Sequence, residues 1–224
     1  MMIMKEIGEC MISTPNADYM FRPSFANMMR IGEPQEIVQT FADLHNDEVT
    51  PLIERSVMAY GCVPEWLVEH IRCSTYGKRA LIAAFSVMEA CSDDDLSPLI
   101  GEFRPAKSKG KPFKRRAGQM DDFGILLIAQ SLITHGIIGK AKVRQLQRNE
   151  STTATTEFRA FEYISAARTH FGISREEAER LTMTEFTLML AAKYPDQKGF
   201  TRDEYDAVAD EYLAKKARKL AKAA

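Results

Sequence analysis

At the N-terminal end of the chain, apolar and polar positions alternate. Residues 5–13 (KEIGECMIS) alternate loosely, 14–18 (TPNAD) supply turn residues, and 19–23 (YMFRP) resume the alternation. The pattern predicts a β-hairpin. Pro23 has no N–H to give to a ladder, so the second strand ends there or lies at an edge. A lone hairpin is marginal in water and needs helices to lean on. Beyond Pro23 the apolar spacing becomes helical. Ser24 caps a short turn carrying Phe25, Met28 and Met29, which stops near Gly32. Pro34 suits a first-turn position, and Ile37, Val38, Phe41 and Leu44 form the stripe of the next helix. Thr50-Pro51 opens another, with Leu52, Ile53, Ser56, Val57 and Tyr60 on one face and Gly61 as its stop. Pro64 opens a helix carrying Trp66, Leu67, His70 and Ile71. Residues 79–91 are apolar nearly all round and predict a buried helix.

Residues 104–118, RPAKSKGKPFKRRAG, differ in kind. Arg104, Lys107, Lys109, Lys111, Lys114, Arg115 and Arg116 are basic, no acid intervenes, and the prolines and glycines disfavour regular structure. The stretch reads as a basic flexible loop dividing an N-terminal hairpin and helical region (1–103) from a C-terminal helical region (119–224). The latter resumes with a largely apolar helix at 121–136. A stripe of Ala154, Phe158, Phe161, Ile164, Ala167 and Phe171 follows, closed by Gly172.

Two helix-start signatures then fall eight residues apart. Ser174 with Glu177 and Thr182 with Glu185 each form a capping box, in which a hydroxyl and a carboxylate satisfy free backbone N–H groups. A third, Thr201 with Glu204, starts a terminal helix. The fold class is therefore mainly α: an N-terminal β-hairpin, a multi-helix bundle, a basic loop in the middle, and a C-terminal string of short capped helices.

Length and composition fit an ordinary soluble protein. The chain has 224 residues, 45% hydrophobic and 27% charged, with a net charge of −1. No secretory leader is apparent, and the longest apolar run (124–139) is too short and too polar for a bilayer span of about 20 residues. A cytosolic protein with reduced Cys10, Cys62, Cys73 and Cys91 is expected. The chemistry of catalysis is not signalled. There is no phosphate-binding glycine motif, and the cysteines lack an accompanying base. His70 and Cys73 could meet across one helical turn but lack further ligands. Asp93, Asp94 and Asp95 read as a solvated, capping loop rather than a cation site. No enzyme, metal or cofactor is expected.

The phrase FEYISAARTHFGISREEAERLTMTEFTLMLAAKYP, in particular Gly172-Ile173 with Glu177-Ala178 and then Leu181-Thr182 with Glu185-Phe186, resembles the C-terminal region of tail assembly chaperones of long-tailed bacteriophages. EIGE at 6–9, MFRPSF at 20–25, RIGEPQEIVQTFADLHND at 30–47 and PEWLVEHI at 64–71 resemble their front and middle phrasing. The resemblance implies a non-enzymatic protein of the infected host's cytoplasm, absent from the mature virion. Such a protein would bind the tape-measure and tail-tube proteins during tail assembly, with self-association open. Methionine is abundant and adapts to varied apolar surfaces. A helix-in-groove mode suits a helical partner, and Phe186, Met189, Leu190 and Tyr194 are the candidate wall. The competing reading is a structural or connector protein retained in the particle. It would contact nucleic acid or another anionic partner through 104–116, with Lys107, Lys109, Lys111, Lys114, Arg115 and Arg116 on the phosphates.

Overall fold

A computed structural model describes residues 3–45, 50–105, 113–140 and 156–194. The chain divides into two compact units, Met1–Met189 and Leu190–Ala224. Of the second, only residues 190–194, at the end of the last described helix, are described.

The protein is mainly helical, with an N-terminal two-stranded hairpin. Strands β1 (Cys10–Ser13) and β2 (Asp18–Phe21) pair antiparallel, with Cys10 opposite Phe21 and Ser13 opposite Asp18. Thr14 closes the turn: its N–H donates to Ala17 O at 2.9 Å and its hydroxyl accepts Ala17 N–H at 3.1 Å. The first strand is shorter than the alternation predicts. Lys5–Ile7 instead form a 3₁₀ turn that ends at Gly8 with φ +91°. The buried Glu9 carboxylate accepts Met4 N–H at 3.1 Å and holds this turn closed. A side chain at Gly8 would also collide with His135, so glycine is required there twice over.

After β2 come α1 (Phe25–Met29), α2 (Pro34–Leu44), α3 (Thr50–Tyr60), α4 (Glu65–Cys73) and α5 (Thr75–Cys91). Each expected cap is present where described. Ser24 Oγ accepts Asn27 N–H at 3.2 Å, and Pro34 sits in the first turn of α2. Helix α5 is the centre of the bundle. Its second half buries Ala83, Ala84, Phe85, Val87, Met88, Ala90 and Cys91. It packs most extensively on α7 (Asp122–Ile133) and next on α2, α4 and α1. Helix α7 answers with Ile125, Ala129, Leu132 and Ile133, spaced to line one helical face.

The basic segment is the clearest departure from expectation. Short α6 (Ser97–Ile100) leads into β3 (Gly101–Pro105), which pairs antiparallel with β4 (Phe113–Ala117). Much of the stretch expected to be a flexible loop is thus a β-ribbon; residues 106–112, with Lys107, Lys109 and Lys111, lie outside the described residues. The reason is local charge and aromatic chemistry that the run of cations hides. Glu102 pairs with Arg104 at 2.6 Å and Arg116 at 3.5 Å. Arg115 pairs with Asp122 and lies over the Phe85 ring at 5.3 Å. The ribbon therefore reverses the chain, and α5 and α7 on either side of it share one core.

Helix α7 does not stop at Gly136. It continues as a π-helical turn, Thr134–Ile138, which ends at Gly139 with φ +81°. Gly136 lies inside that turn, where a side chain would strike Met28. His135 is buried there, its Nδ1 2.8 Å from Thr184 Oγ1, which also accepts Lys140 N–H at 3.1 Å. Then come α8 (Ala160–Phe171), α9 (Arg175–Arg180) and α10 (Met183–Lys193). Both closely spaced capping boxes form. Glu177 N–H donates to Ser174 Oγ at 3.2 Å and Ser174 N–H to Glu177 at 2.8 Å. Glu185 N–H donates to Thr182 Oγ1 at 3.1 Å and Thr182 N–H to Glu185 at 2.8 Å. Thr201 and Glu204 lie outside the described residues.

One side chain ties these pieces together. Arg22, just past β2, reaches the buried Glu9 at 2.6 Å, Glu185 at 3.3 Å and the Arg180 carbonyl at 3.0 Å, while its own N–H donates to Cys91 O at 2.9 Å. Beside it Ser24 and Thr182 form a β-bridge, and Phe25 N–H donates to Leu181 O at 2.9 Å.

Two measurements check this account. Arg22→Ala strands a buried carboxylate and is expected to cost about 2–4 kcal/mol in urea unfolding. Adding Glu9→Gln, which removes the stranded charge, should recover part of the loss; a loss under about 0.5 kcal/mol would show that the ion pairs are ornamental. His135 is held below the usual histidine range, first by burial and then by Lys140. The folded state therefore binds that proton less readily than the unfolded chain. The contribution is full above the ordinary value near 6.5 and is lost as pH falls below it toward the depressed folded value. His135→Gln is expected to flatten the fall in stability from pH 7 to 5.

Candidate partner-binding surface

The four residues expected to wall a groove do not share one environment. Phe186 is only 5% exposed. It meets Phe25, Tyr163 and Phe171 edge-on, with ring centroids at 6.0, 5.9 and 6.1 Å, and Tyr163 also stacks on Phe158 at 5.2 Å. Phe186 is thus spent on joining α10 to α1 and α8 and offers nothing to a partner. Met189 and Leu190 are half-buried, and Tyr194 is exposed.

The described cations of the basic segment are largely engaged. Arg115 is turned inward on Asp122 and Phe85, and Arg104 and Arg116 share Glu102. The Arg104 hydrogen bond is the first cause holding the Glu102 carboxyl below its usual range. Lys114 lies within β4. An anionic partner at this ribbon would have to displace acids that the sequence places nearby but not within the basic run.

The other candidate groups are accounted for by neighbours. Asp93 pairs with Arg30 at 2.7 Å, Asp94 accepts Met20 N–H at 3.3 Å, and Asp95 accepts the Ser97 hydroxyl at 2.6 Å. The Ser97 bonds hold the Asp95 carboxyl low. Cys73 Sγ lies 3.4 Å from Glu69, not His70. Burial pushes the Cys10 thiol up to about 11, and Cys91 is raised likewise, so neither is poised as a thiolate nucleophile. Among the described residues no group of three or more His, Cys, Asp and Glu gathers as metal ligands would, and no described helix is long and apolar enough to cross a membrane.

What remains is apolar and unexpected in place. Helix α4 buries Leu67 against α5, but α3 makes only sparse contact with the other elements. Ser56 anchors α3 by donating its hydroxyl to Cys62 O at 3.2 Å. The stripe that the sequence presents as one face is divided: Ser56 is buried and Leu52 half-buried, whereas Ile53, Val57 and Tyr60 face outward at i, i+4 and i+7. Met58, at 87% exposure, points to another side of α3, and on α4 Trp66, at 63%, and Val68 are exposed on either side of the buried Leu67. Single exposed apolar residues are commonplace, but this many on two consecutive short helices make α3 and α4 the candidate surface for a partner. The available sequence signal was the width of the apolar arc on α3, which exceeds what one buried stripe uses.

No curated protein and no solved structure matches this chain. One family model does match, over residues 21–207, a span that begins at the last residue of β2 and takes in every described helix from α1 to α10. On that span the chain belongs to DUF6246, a family of unknown function.

Proposed function

We propose that the protein is a non-enzymatic holder of other proteins, of the tail assembly chaperone kind, and that it covers apolar helices of a tape-measure protein until tail-tube subunits replace it. The observation that carries this reading is the apolar side-chain set Ile53, Val57, Met58, Tyr60, Trp66 and Val68 left outside the core on α3 and α4. Apolar area removed from water is worth about 25 cal/mol per Å², so burying one such side chain contributes roughly 1.5–3 kcal/mol. Micromolar binding is about −8 kcal/mol, and association itself costs at least about 4 kcal/mol, so about four to eight anchors of that size are needed and most of the set must be covered at once. Methionine and aromatic side chains suit a surface that must accept an unfinished partner. An amphipathic helix laid on α3 and α4 is the natural geometry. The phage origin, the host cytoplasm and the identity of the partner come from the sequence resemblance. The rival, a connector protein retained in the particle and touching nucleic acid through 104–116, draws less support because Arg104, Arg115 and Arg116 are already paired.

The test is co-expression and co-purification with a candidate tape-measure protein. Val57→Glu, Met58→Glu and Trp66→Glu together are expected to weaken the complex at least 30-fold while leaving the unfolding midpoint nearly unchanged, since all three side chains already face water. Lys107, Lys109 and Lys111 changed to Gln should bind as the parent does. Unimpaired binding by the folded triple variant would place the interaction elsewhere. Abundant copies in mature particles by mass spectrometry would favour the connector reading.

A further inference from the structure

A separate cavity of about 560 Å³ opens between the start of α2 and the start of α8. That is the size of a small-ligand or anchor-residue pocket. Its floor is Ile37, Phe158 and Ala160, all buried, and its rim carries Met29 and Phe161, both exposed. The walls are fixed to each other, because Phe158 N–H donates to Pro34 O at 2.9 Å. The cavity is therefore preformed and apolar inside.

Its lining is net acidic. Glu33 and Glu162 line it, and the Glu33 carboxylate has no ion-pair partner among the described residues. The Glu36 carboxylate is held alongside by Glu33 N–H at 2.8 Å. Arg159, the basic lining residue, is committed to Glu157 at 2.8 Å and, more loosely, to Glu162 at 3.7 Å. Arg175 lies over the Phe161 ring at 5.9 Å but is paired with Glu179 at 2.6 Å. Carboxylates thus outnumber cations around an apolar hollow whose rim has an aromatic ring. Such a hollow favours a bulky apolar group with positive charge beside it and disfavours the same group beside negative charge.

We propose that this cavity is a docking site for a protein segment that presents one bulky apolar or aromatic side chain next to a lysine or arginine. The site is independent of the α3–α4 surface and does not rest on the chaperone reading.

The experiment titrates the full chain with acetyl-Lys-Trp-Lys-amide and, separately, acetyl-Glu-Trp-Glu-amide, followed by backbone amide NMR at low salt. The lysine peptide is expected to produce saturable shifts at Gly32, Phe161 and their neighbours and to bind at least fivefold more tightly. Glu33→Gln with Glu162→Gln, conservative changes at the surface whose fold the same spectra verify, should cut that advantage at least threefold. The Val57/Met58/Trp66 triple variant should bind the peptide as the parent does. Absence of saturable shifts at these residues, equal affinity for the two peptides, or an advantage unchanged in the Gln variant would overturn the proposal.

Discussion

The fold depends on what happens to the charge on Glu9. A carboxylate that is 4% exposed is tolerable only with a cation against it, and Arg22 is that cation. Arg22 in turn satisfies Glu185 and the last carbonyl of α9, so one guanidinium joins the N-terminal hairpin to a helix junction far away in sequence. The planar, five-donor geometry of arginine is what allows this; a lysine could not serve so many acceptors in fixed directions. With Arg22 placed, Ser24 and Phe25 fall beside Thr182 and Leu181, and the backbone bonds there follow.

The twin capping boxes acquire their meaning from that junction. Glu185 caps α10 by accepting Thr182 N–H and also receives Arg22. Starting a helix twice in eight residues makes a sharp corner, and the corner brings a carboxylate, a carbonyl and an aromatic ring to bear on the segment 22–25. Phe186, one residue beyond the cap, then enters the cluster of Phe25, Tyr163 and Phe171. The same sequence feature that predicts a string of short capped helices is the means by which α9 and α10 are fastened to α1 and α8.

Local chemistry was legible in the sequence and long-range chemistry was not. The hairpin turn, the caps at Ser24, Ser174 and Thr182, the stop at Gly172 and the buried character of 79–91 all rest on residues within a few positions of one another. The 3₁₀ turn at Lys5–Ile7 was hidden because its closing group, Glu9, depends on Arg22. The ribbon at 101–117 was hidden because Glu102 lies just before the basic run and Asp122 just after it. Phe186 looked available because helical periodicity shows which residues share a face, not what covers the face. The outward side of α3 is the converse case: the spacing places Leu52, Ile53, Ser56, Val57 and Tyr60 on one face, but it does not show that α5 packs chiefly on α7 and α2 and leaves much of that face uncovered.

The π-helical turn has a consequence for reading relatives of this chain. Such a turn houses one residue more than an α-helix of the same rise would. A homologue with a single deletion between positions 134 and 138 would close that turn to an ordinary α-helical one, with the residues on either side keeping their faces. The change would fall on the turn itself, where His135 meets Thr184 and Gly136 sits under Met28. A gap placed by alignment in this short window would therefore mark a local change of backbone path and not a rotation of the whole helix.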